Sequence, residues 1–273
     1  MLPQAARFPV GRRLLLAIVT ACFLHGRLRQ ICFAGLTATT RQGQKRARLM
    51  ATAGSVGLGD IAPKGGGAAP EEGGEPEAWR SRIDRSIKGS REIRGGNFVQ
   101  IATVDSEGLP CCRTVVFRGF LAAESKGGAE ALRMITDARS GKVAQIKRSP
   151  ACEMVWWFSQ TSEQFRIAGE LQPVGAEDQG ELQAARQDQW VKLSDVAREQ
   201  FWWDMPGESY SGPQSPPKGG RGPDGEVLPP PDAFLLLLLW PNRVKYLRLT
   251  DNYSQVDTRD ASSVAWTASR VNP

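Results

Sequence analysis

Arg139-Ser140-Gly141-Lys142 is the stretch of this sequence best suited to hold an anion. The apolar run Ala131–Thr136 before it predicts a strand, and Lys142–Lys147 after it predicts a short helix. The four residues therefore sit where a helix begins. Backbone N–H groups at a helix start are unpaired and carry partial positive charge, and Lys142 adds a full one. Thr136 and Ser140 contribute hydroxyls. The upstream glycine of a nucleotide-triphosphate loop is missing. Two readings stay open: a site for one phosphate-sized anion, or a surface cap in which Ser140 bonds the helix backbone. A second cation aimed at the same place would separate them. Arg113 and Arg118, flanking Thr114-Val115-Val116-Phe117, are the candidates. Spaced by five, they point to opposite faces of an unbroken strand, so at most one reaches a given site unless the strand bulges. In Gln164-Phe165-Arg166-Ile167 polar and apolar residues alternate. If the polar face lines a cleft, the Gln164 amide can both donate to and accept from a planar heterocycle; otherwise the face is solvated.

Other chemistries are excluded by what the chain lacks. Its single histidine, His25, lies near the N-terminus, so the body of the protein offers no imidazole for a triad, a haem or a His-ligated zinc. Beyond residue 59 the cysteines are Cys111, Cys112 and Cys152, an odd number without a C-x-x-C, which argues against a disulfide framework and for a reducing compartment. Gly220-Arg221-Gly222-Pro223-Asp224-Gly225 has the form G-x-G-x-x-G but no strand before it, no helix after it and a proline inside it, so it is not a dinucleotide loop.

Charge divides the chain. Residues 1–59 carry eight Arg, one Lys and no acid, which leaves the remainder with a net charge of −3. The basic character belongs to this leader, and nucleic acid is not an expected partner of the rest. An acid-free segment rich in Arg, Ala, Leu and Thr has the composition of an organelle transit peptide. Leu14–Leu24 is too short to span a bilayer, which takes about 20 residues, but has the length of a signal-peptide core. A two-part leader of this kind addresses a plastid, the expected destination, with mitochondrion or secretion as alternatives. Residues 60–76 read as a Gly/Pro/Ala/Glu linker, and residues 77–273 as one domain.

Within that domain Trp79, Ile83 and Ile87 predict an amphipathic helix. Strands are expected over Phe98–Val104 and Leu109–Phe120, joined by the Asp105–Gly108 turn, then over Ala131–Thr136, Ala151–Phe158 and Gln164–Leu171. A helix is expected over Ala176–Leu193. Met205–Pro231 holds eight Pro and six Gly in 27 residues and reads as a long irregular loop. Phe234–Trp240 and Arg243–Leu249 are expected as the last two strands, turned by Pro241-Asn242. The five leucines Leu235–Leu239 are too few for a membrane span and suit a buried strand. Six or seven strands with two or three outer helices predict a mainly β, α+β fold, a closed or split β-barrel of the Greek-key type.

Phe98–Asp105, Arg113–Phe120, Thr136–Gln145, Gln164–Gly169, Trp190–Pro206 and Trp266–Pro273, taken in order, resemble the pyridoxamine 5′-phosphate oxidase-like family of FMN-binding split barrels, in its cyanobacterial and plastid branch. The resemblance implies FMN as cofactor and a homodimer with FMN at its interface. It implies that Arg113, Ile135, Thr136, Ser140 and Lys142 hold the phosphate and ribityl groups, that Thr114, Val115, Val116 and Arg118 belong to the flavin-edge strand, and that Gln164 contacts the ring. Trp240 corresponds to a Trp that lines the partner's site. The substrate half of the family pattern departs: Arg243-Val244-Lys245 stands in place of R-L-H, Leu247 in place of an Arg, Arg118 in place of a Lys, and no R-P-x-x-S occurs. The resemblance implies hydride transfer between a small substrate, a B6 vitamer being the nearest, and flavin N5. A flavin-binding module without turnover and a haem-binding split barrel are the alternatives.

Overall fold

The computed structural model describes residues 76–260 and 264–273; the expected leader and nearly all of the linker lie outside the described residues. In chain order the elements are α1 (Trp79–Gly89), β1 (Phe98–Val104), β2 (Pro110–Val116), β3 (Phe120–Ala123), β4 (Ala129–Asp137), α2 (Gly141–Arg148), β5 (Ala151–Phe158), β6 (Glu163–Val174), α3 (Gly180–Val191), α4 (Asp195–Glu199), β7 (Phe234–Arg248), β8 (Tyr253–Arg259) and β9 (Trp266–Arg270). All nine strands join one antiparallel sheet whose path runs β2-β1-β5-β6-β7-β4-β3, with β8 on β7 and β9 on β8.

The path closes on itself because β2 and β3 are nearly one strand. β2 pairs with β1 at one end of the path and β3 pairs with β4 at the other. Between them the Arg118 N–H donates to the Arg133 carbonyl at 2.8 Å and the Arg133 N–H to the Gly119 carbonyl at 2.8 Å, so pairing passes from one neighbour to the next without a gap. Closure leaves no free edge in this part of the sheet.

Alternation fills the interior. Val99 and Ile101 of β1, Met154, Trp156 and Phe158 of β5, Phe165 and Ile167 of β6, and Leu237 and Leu239 of β7 meet in the main core, sealed by Trp79 and Ile83 of α1. Each apolar side chain buried there contributes about 1.5–3 kcal/mol. Leu236 and Leu238 point the other way, against Val174 and against Ala185 of α3. The leucine run is thus a strand buried on both faces, as its composition predicts. Met205–Pro231 is irregular, as expected, and is tied down by buried arginines. Arg186 donates to the carbonyls of Pro231 and Phe234, Arg198 to that of Gly219, and the Trp190 indole to that of Leu228.

Three expectations are corrected. Phe234–Arg248 is one strand of fifteen residues, not two joined by a turn. Pro241 pairs with Gly169 and Arg243 with Ala168, so Asn242 is an extra residue in a bulge, and the missing N–H of Pro241 falls where the ladder is already broken. Gly169 is required there: a Cβ would lie 2.1 Å from the Trp240 carbonyl oxygen. Leu109–Phe120 is split into β2 and the start of β3. The strand count rises to nine because β3, β8 and β9 are present, and among the described residues there are four α-helices rather than two or three.

Candidate functional site

β4 delivers Thr136 beside the start of α2, where Arg139–Lys142 turn the chain. Ser140 precedes the helix in extended conformation, but its side chain makes no capping bond. Its hydroxyl donates instead to the Asp137 carbonyl at 2.8 Å and lies 3.2 Å from the Thr136 hydroxyl. The Lys142 ammonium reaches back over this turn, donating to Thr136 Oγ1 at 3.1 Å and Ser140 Oγ at 3.0 Å. The surface-cap reading of Ser140 is therefore not what the structure shows.

Arg113 supplies the second cation. Its Nη1 donates to Thr103 Oγ1 at 2.6 Å and its Nη2 to Gln145 Oε1 at 2.9 Å, while Thr103 donates to the same Gln145 oxygen at 2.6 Å. Thr103 on β1 and Gln145 on α2 thus fix the guanidinium toward the helix start. The two cations feel each other: burial, and then the Arg113 charge, hold the Lys142 ammonium below the usual lysine range. Among the described residues neither cation has an ion pair. The acid nearest in effect, Asp137, is committed to Arg139, which grips it through Nε at 3.0 Å and Nη2 at 2.7 Å. Two like charges come together with two hydroxyls and a helix start, and among the described residues no carboxylate forms an ion pair with either. That donor set fits a phosphate dianion.

The remaining expected residues are distributed as follows. Register places Val116, Phe98, Gln164 and Leu247 on the outer face of the sheet, together with Trp157, which pairs with Gln164. Thr114, Gln100, Val155, Arg166 and Lys245 form the next row of that face. Gln164 is half-buried, and its amide bonds no described residue. Val115 turns inward and packs on the main core. Ile135 packs against the cluster of Trp190, Phe201 and Phe234, so only its backbone is available to the phosphate turn. Arg118 lies in the break between β2 and β3, and no contact links it to the Arg113–Lys142 group. Trp240 is buried inside β7, and its indole donates to Gln172 Oε1 at 2.8 Å within the same subunit.

Sequence reasoning misses Thr103 and Gln145, the two acceptors that aim Arg113. Gln145 carried a signal: three residues after Lys142, it lies on the same face of α2. Among the described residues no group of acids and cysteines could hold a metal, and no helix is long and apolar enough to cross a membrane.

The comparisons with known proteins agree on one family. A family model described as pyridoxamine 5′-phosphate oxidase, FMN-binding domain, matches residues 76–175. The chain is 33% identical over 201 residues to pyridoxine/pyridoxamine 5′-phosphate oxidase 2 of Arabidopsis thaliana, an alignment covering 71% of this chain and 96% of the relative. The crystal structure of a pyridoxamine 5′-phosphate oxidase-related, FMN-binding protein of Nostoc punctiforme is similar with a TM-score of 0.63 and 35% identity, covering 73% of this chain and all of the other. PhzG of Burkholderia lata, solved with tetrahydrophenazine-1-carboxylic acid, has a TM-score of 0.56 at 15% identity and shares the fold alone.

Proposed function

The chain belongs to the pyridoxamine 5′-phosphate oxidase-like family of FMN-binding split barrels, and from that membership we propose that it is an FMN-dependent oxidoreductase acting on a small molecule. The observation that carries the reading is that Arg113 and Lys142 come together and, among the described residues, no carboxylate forms an ion pair with either. In this reading Arg113, Lys142, Ser140 and Thr136 hold the FMN phosphate. Thr103 and Gln145 keep the Arg113 guanidinium aimed, and the α2 start adds its N–H groups. Gln164 offers its free amide to the ring from the outer face, where Val116 and Thr114 line the approach. Bound FMN supplies the two-electron redox chemistry; the protein supplies binding, orientation and exclusion of water.

That outer face also supports a homodimer. Phe98 is 51% and Trp157 39% exposed, and Val116 and Val155 lie beside them. A second copy covering these strands would bury the apolar row and bring its own residues to the flavin ring. A plastid is the proposed destination, from the composition of residues 1–59.

A B6 vitamer is the proposed substrate by family, at reduced efficiency. Lys245 stands where the family pattern has a histidine, and a site built to pair a substrate's polar groups loses discrimination when a partner is replaced. The same replacement favours the second reading, a flavin-binding module without turnover. The visible spectrum of the purified full chain tests FMN binding. Steady-state assays with pyridoxine 5′-phosphate, pyridoxamine 5′-phosphate and other donors test catalysis: flavin reduced by none of them rejects the oxidoreductase and leaves the module.

A further inference from the structure

Asp137 is the acid placed to compete with a phosphate at the α2 start, and Arg139 is what holds it. Asp137 ends β4, one residue after Thr136, and the Lys142 ammonium feels its charge. Arg139 takes both carboxylate oxygens: its Nε donates to Oδ1 at 3.0 Å, its Nη2 to Oδ2 at 2.7 Å, and its backbone N–H to Oδ1 at 2.7 Å. The remaining nitrogen, Nη1, donates to the Trp203 carbonyl at 2.9 Å, in the segment that leads into the Pro/Gly loop. Hydrogen bonding to Asp137, and then the charges of Asp137 and Asp204, hold the Arg139 guanidinium above the usual arginine range. Asp204 is itself held by the Ser211 hydroxyl and, at 3.1 Å, by the Gln214 amide. The guanidinium is thus fixed by β4 on one side and by the loop on the other.

By its place in Arg139-Ser140-Gly141-Lys142, Arg139 looks like a ligand for the phosphate, yet each of its three guanidinium nitrogens already has an acceptor. A two-pronged grip of this kind fixes a carboxylate in one orientation and balances its charge. Without it Asp137 would keep only the backbone N–H of residue 139. Its side chain is 15% exposed, so the freed negative charge would be poorly screened from Lys142. An incoming phosphate dianion would then meet a repelling neighbour and a lysine already partly compensated. We propose that Arg139 is a positioning residue for the cofactor: it keeps the Asp137 carboxylate off Lys142, reserves the positive charge of the turn for the phosphate, and through the Trp203 carbonyl makes the long loop part of that device. Naming the anion as the FMN phosphate rests on the flavin reading above; the grip on Asp137 does not.

The test is a double-mutant cycle on the flavin-free full chain, titrated with FMN and, separately, with riboflavin, which lacks the phosphate. Arg139→Met should raise Kd for FMN about tenfold or more and leave that for riboflavin within about twofold. Asp137→Asn should bind FMN at least as tightly as wild type. In the Asp137→Asn background Arg139→Met should cost less than about twofold, because the charge that it would release is gone. A merely structural Arg139 gives the opposite pattern, with both flavins weakened and no recovery in the double variant. Unchanged FMN affinity in Arg139→Met, equal loss of both flavins, or a double variant as weak as Arg139→Met alone overturns the proposal. Arg139→Gln carries the same cycle if Arg139→Met does not fold. If wild type binds neither flavin, the flavin reading fails, and the cycle is read with inorganic phosphate on the same proteins: the same loss and recovery uphold the proposal, and equal or absent binding overturns it.

Discussion

Replacing Lys142 by methionine separates what the ammonium does for the fold from what it does for the cofactor. In the flavin-free protein its two hydrogen bonds go to Thr136 and Ser140, hydroxyls that remain bonded to each other and to the Asp137 carbonyl when it is removed. Its charge, meanwhile, is held in a desolvated place beside Arg113. Lys142→Met should therefore leave the stability of the flavin-free chain within about 1 kcal/mol of wild type, or raise it. Against the FMN phosphate the ammonium makes a charge-assisted bond worth about 1.5–3 kcal/mol, and its loss should raise Kd by about 12- to 160-fold. The sign with pH follows from the lowered pKa. The charged lysine is disfavoured in the flavin-free fold, and phosphate binding favours it. FMN affinity is therefore full below the depressed pKa and is lost as pH rises through it, earlier than an ordinary lysine would dictate. The assay is quenching of FMN fluorescence on titration into flavin-free full-length chain at neutral and at alkaline pH, alongside thermal unfolding of the same samples. If Lys142→Met binds FMN as wild type does, or loses affinity only in proportion to a loss of fold stability, the phosphate is held elsewhere.

Three further outcomes are expected. Gly169→Ala forces a Cβ against the Trp240 carbonyl oxygen at the β6–β7 bulge, and because the neighbour is backbone it should cost about 3 kcal/mol or more, read by chemical denaturation or by failure to accumulate soluble protein. Arg186→Ala removes the buried guanidinium that holds the carbonyls of Pro231 and Phe234; it should destabilise by about 2 kcal/mol or more and move the first site of limited proteolysis into residues 205–231. The endogenous mature protein is expected to begin between Ala38 and Pro76, and peptides containing Arg7 or Arg12 from organelle-purified protein would contradict an imported, cleaved form.

Most of the barrel is legible in the sequence because its strands bury apolar residues at period two. β1 and β5 are bounded as their patterns predict. β8 was not legible, for a physical reason: besides Ser254 it buries Gln255 and Asp257, and the Gln255 amide donates to Asp257 and to the Glu77 carbonyl while Asp257 accepts from the Trp79 N–H, so these side chains do not join the apolar core. A strand that buries polar groups against partners from distant segments looks like a solvated loop until those partners are known. The Pro241-Asn242 pair reads as a turn because a bulge and a turn use the same residues, and only the ladder on both sides distinguishes them. At the site, the cations and hydroxyls were legible as types. That Arg113, rather than Arg118, faces the helix start depends on Thr103 and Gln145, and their convergence is set by tertiary contact.

β7 pairs with β6 along almost its whole length on one side, and on the other with β4 first and β8 afterwards. Seen in time rather than in space, this strand is the last indispensable part to appear. While the ribosome is still making the Pro/Gly loop, β4 and β6 present bare edges to each other's absence, and no order of pairing among β1–β6 alone can join them. Closing so late spans long sequence separations, which slows folding and lengthens the exposure of those edges. A chain cut anywhere before Phe234 should therefore yield sticky, open sheets rather than a smaller domain, and the nascent protein is a natural client for chaperones until Arg248 has emerged.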